Sequence, residues 1–201
     1  MTRQPDFDRA AEMACRALVR MNSGELPVRP LAMLRRCRRT AVYTYEEAAE
    51  HLSMPQEDFA RRCYGADAFT IRGGAEPCYV VCYRSGGNPA RLNFTLAHEL
   101  GHILLGHRED GTAEEAEANC FAQQLLCPAP VLRRLAEAAP LTAERLASAC
   151  FVSLDAARAR LASAPRRVNQ TVMAQVEALY AQPVQELPPV GRGGICRSWA
   201  G

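Results

Sequence analysis

The sequence contains no lysine, a single tryptophan and no long hydrophobic run. All 24 of its basic residues are arginine, and 22 acidic residues nearly balance them, which leaves a net charge of +2. This balance argues against a dedicated nucleic-acid-binding protein, although it leaves room for a local basic patch. No stretch approaches the ~18 apolar residues that a membrane-spanning helix needs, and the charged N-terminal region does not resemble a secretory signal. We therefore expect a cytoplasmic protein that contacts neither a membrane nor nucleic acid directly.

The nine cysteines lack the arrangement that would give them a chemical role. Their number is odd, their spacing is irregular and no Cys-x-x-Cys pair occurs. Cys78 and Cys82 lie in a strand-like run, which suits a pair of zinc ligands poorly. A disulfide framework or a cysteine metal site is therefore not expected, and the pattern is typical of reduced, partly buried thiols.

Helical periodicity dominates the chain, and strand-like patterns are confined to one short region. Helices are predicted over residues 6–22, 31–38, 45–52, 55–63, 113–126, 131–138, 142–150, 153–162 and 168–180. Residues 68–71 and 79–83 are rich in aromatic and β-branched residues, which predicts an antiparallel pair of strands with room for a third, weakly signalled one. The chain is 48% hydrophobic, enough for the core of a mostly helical α+β domain with a small antiparallel sheet.

The segment RLNFTLAHELGHILLGH, residues 91–107, contains the strongest local motif. Two histidines four residues apart on a helix lie about 40° apart around its axis, so His98 and His102 can reach one metal ion. Glu99 could then meet a water on that metal, which is the HExxH arrangement of zinc peptidases. The neighbours are apolar and suit a buried helix, where unpaired polar groups are costly. The alternative interpretation is a chance pair of surface histidines on an amphipathic helix.

A hydrolytic zinc site usually has three protein ligands, so a third one is needed. The metzincin pattern is excluded, because Leu105 and Arg108 stand where it requires glycine and histidine. His107 lies around the helix from the pair and is expected to be exposed or to sit behind the ligands. In the next helix, Glu115 heads a stripe of small and apolar residues that should face inward, whereas Glu117 lies on a more mixed face. A capping box from Thr112 to Glu115 is the alternative role for this carboxylate.

FTLAHELGHILLGH followed by EEAEANCFAQQLLCP resembles the ImmA/IrrE family of metallopeptidases. The similarity covers residues 91–163, with Cys127 at a position where methionine is common. The resemblance implies a zincin-like, gluzincin-type core in which His98, His102 and Glu115 bind Zn²⁺ and Glu99 is the catalytic acid and base. Family members are intracellular, and several relieve repression by cleaving helix-turn-helix repressors of phages, mobile elements or stress regulons.

The function that the resemblance implies is a zinc-dependent endopeptidase acting on such a repressor, carried on a separate chain. An extended substrate could pair beside the strand at 79–83, and Tyr79, Tyr83 and Arg91 are candidate partners for the reacting carbonyl. The main alternative is a zinc-containing antirepressor that binds its partner without cleaving it. A further alternative is DNA binding through the helix pair at 142–163, where Arg145, Arg158 and Arg160 are the only basic residues.

The predicted organisation is one metallopeptidase domain over residues 1–165. It comprises a helical N-terminal part at 1–65, the catalytic core at 66–128 and C-terminal helices at 129–165. Residues 166–201 are predicted to add one helix and a flexible tail rich in proline and glycine.

Overall fold

The computed structural model describes residues 3–22, 24–63, 65–74, 78–109 and 111–181. The helices found there are α1 (Phe7–Met21), α2 (Pro30–Arg36), α3 (Tyr45–His51), α4 (Gln56–Arg62), α5 (Pro89–Leu105), α6 (Thr112–Leu126), α7 (Ala129–Ala138), α8 (Ala143–Cys150), α9 (Leu154–Ala162) and α10 (Gln170–Leu179). The strands are β1 (Thr40–Thr44), β2 (Ala68–Gly73) and β3 (Cys78–Tyr83). The predicted mostly helical α+β class is confirmed, and each predicted helix is present within a few residues of its expected bounds. Among the described residues, no helix combines the length and the apolar character needed to cross a membrane.

The sheet is mixed, with the strand order β1-β3-β2. β2 and β3 form the predicted antiparallel pair, with Ala68 opposite Tyr83. β1 adds a parallel strand on the other side of β3, with Thr40 opposite Tyr79, so the small sheet is mixed where an antiparallel one was expected. The physical reason is the long connection between β1 and β3, which contains α3, α4 and β2. A connection of this length allows the chain to enter β3 in the same direction as β1.

Alternation along β3 divides the protein into two hydrophobic layers, as the two faces of a strand require. Cys82 faces a small cluster built on α3 and α4, where Tyr45 and Phe59 pack together. Val81 and Tyr83 face the main core on the other side of the sheet. Helix α5 lies in that main core, where Leu96, Ala97 and Leu100 are buried, so the sheet and the histidine-bearing helix are direct neighbours.

Helices α5 and α6 approach each other closely at Gly101. A methyl group placed on Gly101 would lie 3.0 Å from Cδ1 of Phe121 and 3.3 Å from Cα of Ala118. Any side chain at this crossing would therefore require Phe121 or the backbone of Ala118 to shift by a few tenths of an ångström. The close approach brings the first turns of α6 over the histidines of α5.

The remaining helices close the core around this pair. Helix α10 packs through Val172 and Val176, and Tyr180 accepts a hydrogen bond from the side chain of Asn22 at 2.8 Å. The predicted extra helix is thus present, whereas the domain boundary proposed at residue 165 stays a prediction. The tail predicted beyond residue 181 lies outside the described residues.

The eight cysteines in the described part of the chain are free thiols, and six of them are buried. Burial raises the pKa of Cys15 and of Cys82 to about 11. These thiols are therefore protonated at neutral pH and behave as small apolar side chains, as the sequence pattern predicted.

Candidate metal centre

His98 and His102 project from one face of α5 towards the same point. Their Nε2 atoms lie 2.9 Å apart, and their side chains are only 15% and 13% exposed. This proximity is the direct result of the four-residue spacing on a helix. The two side chains are thus largely buried, which does not match a chance pair of surface histidines.

Glu115 on α6 completes a cluster with the two histidines. Its carboxylate oxygens lie 3.4 Å from Nε2 of His98 and 3.3 Å from Nε2 of His102. The three ligand atoms all lie within 4.8 Å of one another. Imidazole nitrogen and carboxylate oxygen are donors that zinc and related divalent ions take, so the arrangement fits a bound metal ion.

The surroundings of Glu115 differ from the two sequence-based expectations. Its side chain is 47% exposed, because it lies at the rim of a pocket and not on an inward-packed face. A capping box is also absent, since α6 begins after Gly111 and has no side-chain cap. The carboxylate therefore has no capping role, and its neighbours are the histidines.

Glu99 lies beside the cluster and is almost fully buried, at 9% exposure. Its Oε2 atom accepts a hydrogen bond of 2.6 Å from the hydroxyl of Thr70 on β2. Charge-assisted hydrogen bonds of this length fix the orientation of a carboxylate. The sheet thus holds the carboxylate in the same pocket that His98 and His102 line.

A pocket of about 420 Å³ opens over this constellation. It is lined by the cluster, by Glu99 and His107, by Phe69, Thr70 and Arg72 of β2, by Tyr79 of β3, and by Arg108 and Glu109. Of the three residues considered as partners for a reacting carbonyl, Tyr79 lines the pocket. Tyr83 is buried in the main core, and Arg91 forms an ion pair with Asp67.

A second set of polar side chains lies behind the two histidines. His98 Nδ1 lies 3.1 Å from Oδ1 of Asn119, and His102 Nδ1 lies 3.0 Å from Nδ1 of His107. His107 Nε2 in turn lies 3.1 Å from Oε2 of Glu117. Both imidazole rings of the cluster are therefore held from the side opposite the metal-facing nitrogens.

The C-terminal turn of α5 explains how His107 reaches His102. Gly106 adopts the left-handed conformation, with φ 70°. The N–H groups of Gly106 and His107 donate to the carbonyls of Ile103 and His102, respectively, which is the Schellman pattern. The chain folds back at this point, and the side chain of His107 returns over the last turn of its own helix.

Glu117 is fully buried, in contrast to the mixed face that the sequence predicted for it. Burial by itself would raise the pKa of this carboxyl, and it is the largest single influence. Hydrogen bonds from Arg3, from the backbone N–H of Asp6 and from His107 together outweigh it, so the pKa is lowered. Glu117 is thus held as a carboxylate by the donors around it.

Sequence reasoning missed the contributions of Thr70, Asn119 and Glu117 to this centre, whereas for His107 a place behind the ligands was one of two expectations, and it is the one that the structure shows. Thr70 and Glu117 are brought in by tertiary packing, for which the sequence holds no local signal. For His107 a local signal exists, namely the glycine directly after a helical pattern. Such a glycine predicts a chain reversal, which places the following residue over the last turn of the helix.

A mostly helical α+β fold with two histidines on one helix and a glutamate on the next defines a zincin-like class of protein. Residues 50–162 match the model of the peptidase family described as IrrE N-terminal-like domain (Peptidase_M78). This match covers more than half of the chain, so the protein belongs to this metallopeptidase family, and the resemblance to ImmA/IrrE proteins is confirmed. A search among curated proteins gives no match.

Proposed function

We propose that the protein is a cytoplasmic, zinc-dependent endopeptidase that cuts one specific protein. The proposed substrate is a helix-turn-helix repressor of a phage, mobile element or stress regulon, carried on a separate chain. The observation that carries the proposal is the meeting of His98, His102 and Glu115 with the buried carboxylate of Glu99 in one open pocket. Membership of the peptidase family supports the same reaction class.

Zinc is the proposed metal because two histidines and one glutamate are the ligand set of many hydrolytic zinc sites. His98, His102 and Glu115 would hold the ion. When bound, zinc supplies Lewis-acid chemistry, which activates water and polarises a peptide carbonyl. The pocket above the cluster leaves space for both reactants.

Glu99 is the proposed general base and then general acid. Its carboxylate takes the proton from the attacking water and delivers it to the nitrogen of the leaving amine. The hydrogen bond from Thr70 keeps Oε2 oriented while the proton moves. Tyr79 lines the pocket and is the proposed partner of the carbonyl oxygen of the substrate.

The edge of the sheet offers a place for an extended substrate. β3 is the central strand, so an incoming peptide cannot pair with it, contrary to the expectation from the sequence. In the described part of the chain β2 pairs only with β3, and Phe69, Thr70 and Arg72 of β2 line the pocket. Peptides commonly bind by adding a strand to such an edge, and an extended segment of a protein substrate would then cross the metal centre.

The decisive experiment is Glu99→Gln, tested on a repressor encoded beside this protein. The variant should retain the zinc content of the wild type and lose cleavage by several orders of magnitude, because glutamine cannot accept the proton. The wild type should produce one or a few cuts. Normal cleavage by the variant, or processing of free dipeptides alone, would overturn the proposal.

The same experiment decides on the main alternative, an antirepressor that binds without cutting. In that case the wild type and Glu99→Gln would bind the repressor equally and leave it intact. The hydrogen bond from Thr70 to the buried carboxylate of Glu99 favours the peptidase over the antirepressor. A module that only binds its partner has no need of an oriented carboxylate in the pocket.

Direct DNA binding through α8 and α9 is disfavoured by the positions of their arginines. Arg145 donates to backbone oxygens at the end of α7, and Arg160 is buried. Arg158 is exposed and forms an ion pair with Asp155. This helix pair therefore presents one arginine of the three to solvent, which is too little for a basic recognition face.

A further inference from the structure

A line of polar contacts leads from the metal-facing pocket to the N-terminal segment of the chain. It runs from His102 to His107, then to Glu117, and ends at Arg3 and the backbone of Asp6. The side chains of His107 and Glu117 are 5% and 0% exposed, so water does not replace these contacts. Polar groups buried to this degree must satisfy one another.

The carboxylate of Glu117 determines which atom is the donor in each hydrogen bond of this line. Oε1 of Glu117 accepts from Nη1 of Arg3 and from the N–H of Asp6, both at 2.7 Å. A carboxylate has no proton to give, so Oε2 also accepts, and the donor is Nε2 of His107.

The same reasoning then fixes both remaining rings. A neutral His107 with its proton on Nε2 must accept at Nδ1, and within the described part of the chain the group that lies against Nδ1 is Nδ1–H of His102. A neutral His102 with its proton on Nδ1 presents an unprotonated Nε2 towards His98 and Glu115. That tautomer is the one a metal ligand needs.

We propose that His107 and Glu117 are positioning residues, which hold the proton of His102 on Nδ1 and so keep its Nε2 ready for the metal ion. The inference rests on the proposed metal centre, and it adds a dependence of that centre on the N-terminal segment through Arg3 and Asp6. Neither residue belongs to the ligand cluster of His98, His102 and Glu115. Their effect passes through the ring of His102 alone.

The first test reads the proton position directly, without metal or substrate. Nitrogen-15 NMR of the metal-free protein at about pH 8, above the ordinary imidazole pKa of ~6.5, distinguishes the two neutral tautomers. We expect His102 to carry its proton on Nδ1 and His107 on Nε2. A wild-type His102 protonated on Nε2 would overturn the proposal.

The second test compares Glu117→Gln with Glu114→Gln. Glu114 is the matched control, because it also binds Arg3 but does not contact His107. If the side-chain oxygen of glutamine at position 117 accepts the hydrogen bonds from Arg3 and Asp6, the NH₂ group of the same amide must donate to His107. The hydrogen bond between His107 and His102 then runs in the opposite direction, and the proton of His102 moves to Nε2. Glu117→Gln should therefore weaken zinc binding ~10–100-fold, as expected for a group that orients a ligand, while Glu114→Gln should stay near the wild type.

A pair of substitutions at His107 keeps the proposal testable should Glu117→Gln fail to fold. His107→Gln can accept from His102 and donate to Glu117, so it should preserve the tautomer and most of the zinc affinity. His107→Phe fills a similar volume without hydrogen bonds, and it should lose both. Zinc affinity is measured by competition with a chelator, and the tautomer by NMR.

The outcomes separate this inference from the proposed function. Equal losses of zinc affinity in Glu114→Gln and Glu117→Gln, or in His107→Gln and His107→Phe, would overturn the positioning role, since they would reflect general loosening. A wild type that binds zinc and holds the expected tautomer but cleaves nothing would refute the peptidase proposal and leave the positioning role intact.

Discussion

Two glutamates two residues apart on α6 have opposite surroundings. Successive residues of a helix are rotated by about 100°, so positions 115 and 117 point in widely different directions. Glu115 lies half-exposed beside the histidines, whereas Glu117 is buried among donors from the N-terminal segment. Burial alone is thus a poor guide to which carboxylate binds a metal, and distance to the histidines is the better one.

Glu115→Gln tests the third ligand. Glutamine keeps the size of the side chain and loses the anionic oxygen, so zinc affinity should fall at least ~10-fold. The stability of the metal-free protein should change by less than ~0.5 kcal/mol, because the side chain is half-exposed and caps no helix. Chelator competition and urea denaturation measure the two quantities.

Glu114→Gln is the control for this prediction, since Glu114 lies on the same turn outside the cluster. If both variants bound zinc like the wild type, the metal centre would be built from other residues.

Thr70→Val tests how Glu99 is held. Valine has nearly the same shape and cannot donate to the carboxylate. A hydrogen bond to a charged group contributes ~1.5–3 kcal/mol, so kcat should fall ~10–100-fold. Zinc content should be unchanged, because Thr70 does not belong to the ligand cluster. A variant with wild-type kcat would show that the orientation of Glu99 does not depend on this bond.

At the scale of elements, local periodicity was sufficient for the helices and for the histidine pair. The spacing of His98 and His102 could be interpreted from one predicted helix. The proposed third ligand, Glu115, required only the helix that follows it in the sequence. A third, weakly signalled strand was allowed for, but β1 was not located, because it is five residues long, lacks alternation in burial, and pairs with a strand far along the chain. The contact from Thr70 and the buried position of Glu117 depend on the same kind of non-local packing.

The crossing of α5 and α6 depends on Gly101, and Gly101→Ala tests it. Alanine favours a helix over glycine by ~1 kcal/mol, but here its methyl group would press on Phe121 and the backbone of Ala118. Overpacking costs ~1–3 kcal/mol, so we expect a net loss of stability in urea denaturation of the metal-free protein. Zinc affinity should also fall, because the displaced α6 carries Glu115. A more stable variant with unchanged zinc affinity would contradict this view of the crossing.

At the scale of the whole molecule, the core near the C-terminal end of α6 contains the one arginine that is buried among the described residues. Arg160 of α9 is 6% exposed and donates to the carbonyl of Cys127, to Oε1 of Gln124 and to the hydroxyl of Ser163. Burial lowers the pKa of its guanidinium and is the largest influence on it. Two of these acceptors lie on or just after α6, so the arginine connects the C-terminal helices to the helix that carries Glu115.

Arg160→Leu should therefore destabilise the protein, and Arg158→Leu on the same helix should not. Leucine leaves the oxygens of Gln124 and Cys127 without their donor, and an unsatisfied buried acceptor costs ~1–3 kcal/mol. Arg158 is exposed and pairs only with Asp155, an interaction that contributes ~1 kcal/mol or less. Urea denaturation of both metal-free variants should separate them by more than ~1 kcal/mol. Zinc affinity of folded Arg160→Leu should match the wild type, because the ligands lie at the other end of α6, and equal stability of the two variants would refute the structural role of this buried cation.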